Sequence, residues 1–395
     1  MHISSHLTSH DHRVMLATKV NYCIPEGVFT SPLWDKRSEM EITMENENKQ
    51  QTPHKRRVRY KGKYPKRFEE KYKELNPEKY QDTIEHVIRK GNTPAGMHIS
   101  IMVPEIIDFL QIKPGQTGFD ATLGYGGHTR AMLEQLNGEG HMYATDVDPE
   151  ESARTRKRLA NLGFGEDILT IKLQNFCTID EIAREAGGFD FLLADLGVSS
   201  MQIDNPKRGF SFKIDGPLDL RLNQKEGISA ASRLEHISRE ELSGMFYENS
   251  DEPYSDEIAK AITEYIRRGN HVDTTTKLRQ IIEETLSFLP EKDRKDTVKK
   301  TCQRVFQALR IDVNNEFEVL YEFMEKLPDA LKPGGRAAIL TFHSGEDKLV
   351  KKALKTGYKA GIYSEYSKDV VRPSAQECAQ NPRARSTKMR WAVKA

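Results

Sequence analysis

From residue 118 onward, short apolar runs alternate with longer stretches whose apolar positions recur at helical spacing. The runs 118–121, 141–145, 168–173 and 189–194 predict strands, and 129–136, 149–162 and 178–186 predict the helices between them. Helix starts are marked chemically. Asp148 followed by Pro149 has the form of an N-cap with proline at the first helical position, and Thr178 with Glu181 has the spacing of a capping box. This alternation predicts an α/β fold with a parallel, doubly wound sheet, which binds ligands outside the carboxyl ends of its strands.

After the fourth strand the rhythm changes. Residues 203–301 carry helical patterns and no convincing strand. Ser238 and Glu241 form another capping-box pair, opening a helix at 240–247, and amphipathic helices are predicted at 255–267 and 276–289. Sheet patterning resumes with a helix at 304–326, the turn Lys332-Pro333-Gly334-Gly335 and a strand at 336–342. The expected organisation is a sheet domain in two parts, 91–202 and 302–395, interrupted by a helical insertion at 203–301. Because the insertion starts at the ligand-binding edge, it suits substrate recognition.

Composition narrows the class. At 395 residues the chain can form one large or two ordinary domains, and 37% hydrophobic with 30% charged residues is typical of a soluble protein. Cys23, Cys177, Cys302 and Cys378 lack paired spacing, so a reduced, cytoplasmic setting is expected, with no zinc site and no disulfide framework. No apolar run approaches the ~20 residues of a membrane span, and the N-terminus lacks the basic start and apolar block of a secretory signal. Residues 1–52 are polar and aperiodic, the pattern of a disordered leader; Met40 and Met44 leave a downstream start open, and His2, His6, His10 and His12 are expected to be tail histidines. The net charge of +1 conceals a basic arm at 53–90, in which Lys55, Arg56, Arg57, Arg59, Lys61, Lys63, Lys66 and Arg67 are interleaved with Tyr60 and Tyr64. Cations at that density neutralise phosphates while tyrosines stack on unpaired bases, so the arm is a candidate RNA contact.

The candidate chemistry lies where strands end. The first runs into Asp120-Ala121-Thr122-Leu123-Gly124-Tyr125-Gly126-Gly127-His128, a glycine-rich turn handing over to a helix whose free N–H groups point into the same space. The second ends in Asp146, placed to accept hydrogen bonds from a ribose, whereas Asp148 has a capping job. A nucleoside-type cofactor is implied, but the third glycine of the dinucleotide fingerprint is replaced by Thr129. The fourth strand ends in Asp195, facing the reactive end of any cofactor bound there, and a loop dense in Asp, Arg, Gly and Phe follows.

Six phrases in this order resemble the ribosomal RNA small subunit methyltransferase H family. They are Asp120-Ala121-Thr122-Leu123-Gly124-x-Gly126-Gly127-His128, Asp195-Leu196-Gly197-Val198-Ser199-Ser200-x-Gln202, Arg208-Gly209-Phe210-Ser211-Phe212, Asp215-Gly216-Pro217-Leu218-Asp219, Phe306-Gln307-Ala308-Leu309-Arg310-Ile311 and Asn381-Pro382-Arg383-Ala384-Arg385-Ser386. The resemblance covers about residues 91–395 and implies a Rossmann-like S-adenosylmethionine-dependent methyltransferase sheet with an inserted all-helical domain. It implies methylation of N4 of a cytidine in the decoding region of small-subunit (16S) rRNA, and a homodimer. It also implies S-adenosylmethionine contacts at Gly126, Gly127, His128, Asp146, Phe176, Asp195 and Gln202. An amine held by a hydrogen-bond acceptor is activated for transfer; Asp195 is the first candidate for that acceptor, with Asp215, Asp219 and His343 behind it. Arg208, Arg221, Arg310, Arg383 and Arg385 are candidate contacts to rRNA phosphates. No metal is required.

Departures from the family's phrases cluster in the presumed substrate-facing parts: His98-Ile99-Ser100-Ile101, Asn249-Ser250-Asp251-Glu252, Thr297 to Arg304, and Gly345 in Phe342-His343-Ser344-Gly345-Glu346-Asp347, where the family has leucine. With the basic arm they suggest a divergent branch. Two other classes stay open on sequence: a catalytically silent ribosome-assembly factor and an NAD-dependent oxidoreductase.

Overall fold

The computed structural model describes residues 100–395; the leader, the basic arm and its helical stretch lie outside them. Seven strands form one sheet: β1 Thr117–Asp120, β2 His141–Asp146, β3 Leu169–Leu173, β4 Phe189–Asp195, β5 Leu331–Thr341, β6 Tyr363–Tyr366 and β7 Lys388–Lys394. Their order is β3-β2-β1-β4-β5-β7-β6, with β1 to β5 parallel and β7 antiparallel to both its neighbours. The four strands expected from 118–194 are all present. This is the α/β sheet the alternation predicted, closed at one edge by two mutually antiparallel strands, β6 and β7, that the alternation did not predict.

Helices cover both faces. The first four are α1 Val103–Leu110, α2 Gly127–Leu136, α3 Pro149–Asn161 and α4 Ile179–Ala186. Side chains along β4 alternate between two cores with the strand period of two. Phe191 and Leu193 pack with Ile106 and Leu110 of α1, Met132 and Leu133 of α2 and Leu159 of α3. Leu192 and Ala194 face the other way, onto Ile182 of α4 and residues from the second half of the domain.

Beyond β4 come α5 Ser200–Asp204, α6 Ala230–His236, α7 Arg239–Ser250, α8 Ser255–Arg267, α9 Thr275–Thr285 and α10 Glu291–Asn314. They enclose a third core running from Phe210 to Leu309, with Phe246, Ile258, Ile282 and Val305 fully buried. Position 301/302 falls inside α10. The sheet domain then continues through α11 Glu316–Ala330, α12 Ser344–Lys359 and α13 Ala375–Gln380.

Three local expectations change. The helix expected at 304–326 is two, α10 and α11, because Asn315 takes a left-handed backbone (φ 49°) that ends one helix and starts the next. The helix expected to reach 289 stops at Thr285 and tightens into a 3₁₀ turn, Leu286–Phe288. Thr178 makes no capping box: its hydroxyl donates to the Asn175 carbonyl, while the Asn175 side chain caps a 3₁₀ turn at Phe176–Thr178. Boxes form instead at Ser199/Gln202 and, unusually, His343/Glu346. Ser238 does accept from the Glu241 amide.

Candidate active site

The glycine turn leaves β1 at Asp120, which is fully buried. Its Oδ1 accepts from the Thr122 amide at 3.0 Å and its Oδ2 from the Thr129 hydroxyl at 2.6 Å. Gly124 (φ 46°) and Gly126 (φ 78°) turn the chain so that Gly126 caps α2. A Cβ on Gly126 would stand 2.7 Å from Thr155 Cγ2, and one on Gly127 2.0 Å from Ser100 Oγ. These two glycines are thus demanded by the protein's own side chains, independently of any ligand.

Asp146 ends β2 directly opposite this turn. Oδ2 accepts from the Gly124 amide and Oδ1 from the Asp148 amide, both at 2.8 Å, so the acid and the turn hold each other. Burial pushes its pKa up to about 6 against those two hydrogen bonds. Each oxygen keeps a further lone pair, so Asp146 can accept from a diol. Phe176, just past β3, is partly buried, with its ring edge-on to Phe323 (centroids 5.1 Å apart, 89° between planes).

Asp195 closes β4 on the other side of the turn. Its amide donates to the Thr122 hydroxyl at 2.8 Å, tying the strand tip to the glycine phrase. Oδ2 lies 3.4 Å from His128 Nδ1, and His128 Nε2 is 2.9 Å from the Ile101 carbonyl oxygen. Oδ1 is buried with no hydrogen-bond partner among the described residues. Burial raises the Asp195 pKa to about 6; His128 opposes the rise, and the neighbouring Asp120 and Glu346 add to it. An orphaned carboxylate oxygen at a strand tip fits a ligand that brings its own N–H or O–H. Gln202 spends its Oε1 on the Ser199 amide (2.9 Å) and its Nε2 on Asp148 Oδ2 (3.4 Å), so it braces the same edge.

Several candidates turn out to be committed elsewhere. Arg208 is 8% exposed and pinned: its guanidinium meets Asp148 Oδ2 at 2.5 Å and the carbonyls of Arg221 and Leu222 at 3.1 and 2.6 Å. It ties a loop to the base of α3 and is not available to a phosphate. Asp148, which also caps α3 through Oδ1, therefore has two structural jobs. Arg310 is bound through Nε and Nη2 to both oxygens of Glu316, at 2.8 and 2.9 Å. Arg221 grips Asp219 in the same bidentate way, and although burial pulls the Asp219 carboxyl upward, Arg221 holds it below the usual range. An acid so paired is a poor proton acceptor. Asp215 is exposed and accepts from the Thr276 hydroxyl in the helical region. His343 caps α12 and sits 3.1 Å from Glu346 Oε1, which makes it architectural. Glu316, His343 and Glu346 bring ligand-type atoms within 4.8 Å of one another, and Arg310 supplies that cluster with its positive charge. Arg383 binds Asp204 at 2.8 Å, whereas Arg385 is exposed with no ion pair among the described residues.

Of the residues singled out in the sequence, the structure therefore gathers Gly126, Gly127, His128, Asp146, Asp195 and Gln202 at one edge. It adds Thr122, Asp120 and Ile101 as supports. The Asp-x-Thr spacing on the strand tip was visible in the sequence, but its partners were not.

Comparison with known proteins agrees in extent with this architecture. The family description that matches residues 95–395 is the MraW methylase family. Ribosomal RNA small subunit methyltransferase H 1 of Agathobacter rectalis is 85% identical over 342 residues, which is 87% of this chain and 98% of the relative. The protein of the same name from Lachnoclostridium phytofermentans is 68% identical over 359 residues, 91% of this chain and 98% of its own length. Ribosomal RNA small subunit methyltransferase H of Koribacter versatilis is 37% identical over 302 residues, 75% and 94% of the two chains. The match spans every element from β1 to β7, including the glycine turn, the two strand-tip acids and the helical region, and the chain belongs to the MraW methylase family.

Proposed function

We propose that this protein is an S-adenosylmethionine-dependent methyltransferase acting on the exocyclic N4 amine of a cytidine in the decoding region of small-subunit rRNA. The observation that carries the reading is Asp195: a carboxylate at the β4 tip, beside the glycine turn, with one buried oxygen that nothing among the described residues satisfies. The names of its relatives supply the substrate class, small-subunit ribosomal RNA. When bound, S-adenosylmethionine supplies a methyl group activated by a sulfonium. Asp146 has the position and the free lone pairs to hold ribose hydroxyls, Phe176 to lie against an adenine, and the turn at Gly126 to His128 to pass the methionine end. Gln202 fixes the edge on which they meet.

For the acceptor, the need is electronic. The lone pair of a cytosine amine is delocalised into the ring, and an acceptor on one of its hydrogens favours the pyramidal, nucleophilic form. Asp195 Oδ1 offers that acceptor where water is excluded and the interaction is correspondingly strong. Correct alignment of acceptor and donor adds several kcal/mol more. Of the five candidate arginines, Arg385 remains the one suited to phosphate contact, joined by the basic arm, which lies outside the described residues.

The test uses the purified protein, labelled S-adenosylmethionine and small subunits from a strain lacking the enzyme, with nucleoside mass spectrometry as readout. The expected product is N4-methylcytidine in the decoding region, lost in Asp195→Ala while the cofactor still binds. Label on another base would reject the target. No transfer by wild type despite cofactor binding would favour a silent assembly factor.

A further inference from the structure

His128 is held so that only one ring nitrogen can exchange a proton. Nε2 lies 2.9 Å from the Ile101 carbonyl oxygen, and a carbonyl can only accept, so Nε2 carries a hydrogen. Nδ1 then faces Asp195 Oδ2 at 3.4 Å. Without a proton between them, a ring lone pair would confront a carboxylate oxygen inside the protein, which is unfavourable in a low-dielectric setting. The contact is satisfied when the pair holds one proton, on either atom.

We propose that Asp195 and His128 form a one-proton dyad in which Asp195 Oδ1 takes the proton shed by the cytosine amine and His128, as a positioning residue, balances the charge from behind. The inference rests on the cytidine reading above. The amine nitrogen starts with two N–H bonds; it gains an N–C bond as the methyl–sulfur bond of the sulfonium breaks and the sulfur leaves as a neutral thioether, and it loses one N–H bond whose proton forms an O–H bond at Oδ1. The dyad passes from neutral to singly positive as carboxylic acid and imidazolium, and returns its extra proton to solvent once the product has left. The charged groups facing it set the balance. Asp120, at the end of β1, and Glu346, on α12, both favour protonation of Asp195, and Glu346 is itself engaged by His343 and Arg310. His128, on α2, opposes it.

Two measurements on the full chain test this. In the first, ¹⁵N-histidine NMR follows His128 through a pH titration in wild type and in Asp195→Asn. Nε2 is expected to stay protonated in both. The Nδ1 signal should respond to removal of the carboxylate, its partner across 3.4 Å. In the second, single-turnover methylation is measured against pH at saturating S-adenosylmethionine in wild type and His128→Asn. Loss of the imidazolium should move the acidic limb up by about one pH unit, and saturating cofactor keeps any change in S-adenosylmethionine affinity out of the readout. A purely structural His128 would leave that limb in place. An unmoved limb, or a His128 titration identical in wild type and Asp195→Asn, overturns the dyad. If His128→Asn does not fold, the NMR comparison decides alone. Absence of N4-methylcytidine from the wild-type reaction would instead reject the cytidine reading and leave the NMR result standing.

Discussion

Gly345 shows how a single departure from a family phrase is absorbed by its neighbours. A Cβ there would stand 2.6 Å from Cζ of Phe317, and the Phe317 ring meets the His343 ring edge-on at 5.8 Å. The family's leucine would collide with that ring, so the glycine and the phenylalanine belong together. Gly345→Leu should destabilise the protein by about 1–3 kcal/mol through overpacking, and adding Phe317→Ala should recover most of the loss. Urea unfolding of the two single variants and the double variant measures both terms; additive losses would show that the residues do not share the space. Residue type was legible from sequence here, and partners were not. The same is true of the arginines. Arg208 and its acid Asp148 are 60 positions apart, and Arg383 and Asp204 are 179 apart, so no local pattern could distinguish an arginine held inside the fold from one open to phosphate.

Elements are joined at the carboxyl edge by the Asp148–Arg208 pair. Asp148 caps α3 and receives Arg208, and Arg208 in turn holds the carbonyls of Arg221 and Leu222. Asn314, near the end of α10, binds the same loop through the Leu220 carbonyl and the Leu222 amide, both at 2.8 Å. Between those anchors Leu220 keeps a left-handed backbone (φ 64°) while only 1% exposed, a conformation that costs about 1 kcal/mol or more and persists because both sides are tied. Asp148→Asn preserves the cap but strands a buried guanidinium, and should cost about 3–5 kcal/mol. Methionine at both 148 and 208 should be less harmful than Asp148→Asn alone, and denaturant unfolding of the two would show it. The reverse order would mean that the cap, and not the charge, holds the junction. Element types were legible because apolar periodicity is local. The division of 304–326 was not, because the apolar spacing continues in phase from α10 into α11 and the break rests on the backbone of Asn315. The charged opening turns of α10 hid its start in the same way, since a half-exposed helix shows little apolar signal there.

For the molecule as a whole, the active edge concentrates acids that the fold prefers protonated. Burial raises Asp146 and Asp195 to about 6 and Glu151, on α3 beside them, to about 7 against the pull of Arg158 and Arg154. A carboxyl whose folded pKa lies above its unfolded value binds more protons in the native state. Its effect on stability is most favourable at or below the unfolded pKa, declines as pH rises toward the folded pKa, and is constant beyond it. For these three groups the decline therefore falls between about pH 4 and pH 7. Asp219, Glu346 and Asp347 run the other way: burial lifts each, but their cationic partners hold them below the usual range, so acid removes their contribution. The opposing sets place the stability maximum in mildly acidic solution. The cofactor-free protein should melt at a higher temperature at pH 5.5 than at pH 8. Glu151→Gln, which leaves Asp195 and Asp146 in place, should shrink that difference, by an amount that corresponds to stability on the order of 1–3 kcal/mol. Saturating S-adenosylmethionine should shrink it as well, because hydroxyl hydrogen bonds to the Asp146 carboxylate and the sulfonium charge near Asp195 favour the ionised forms of both. Thermal unfolding across pH 5 to 8, with and without cofactor, measures all three effects. A melting temperature that climbs from pH 5.5 to pH 8 would show that the salt-bridged acids outweigh the buried ones. A Glu151→Gln slope equal to wild type would remove Glu151 from the balance and leave Asp146 and Asp195 as its source.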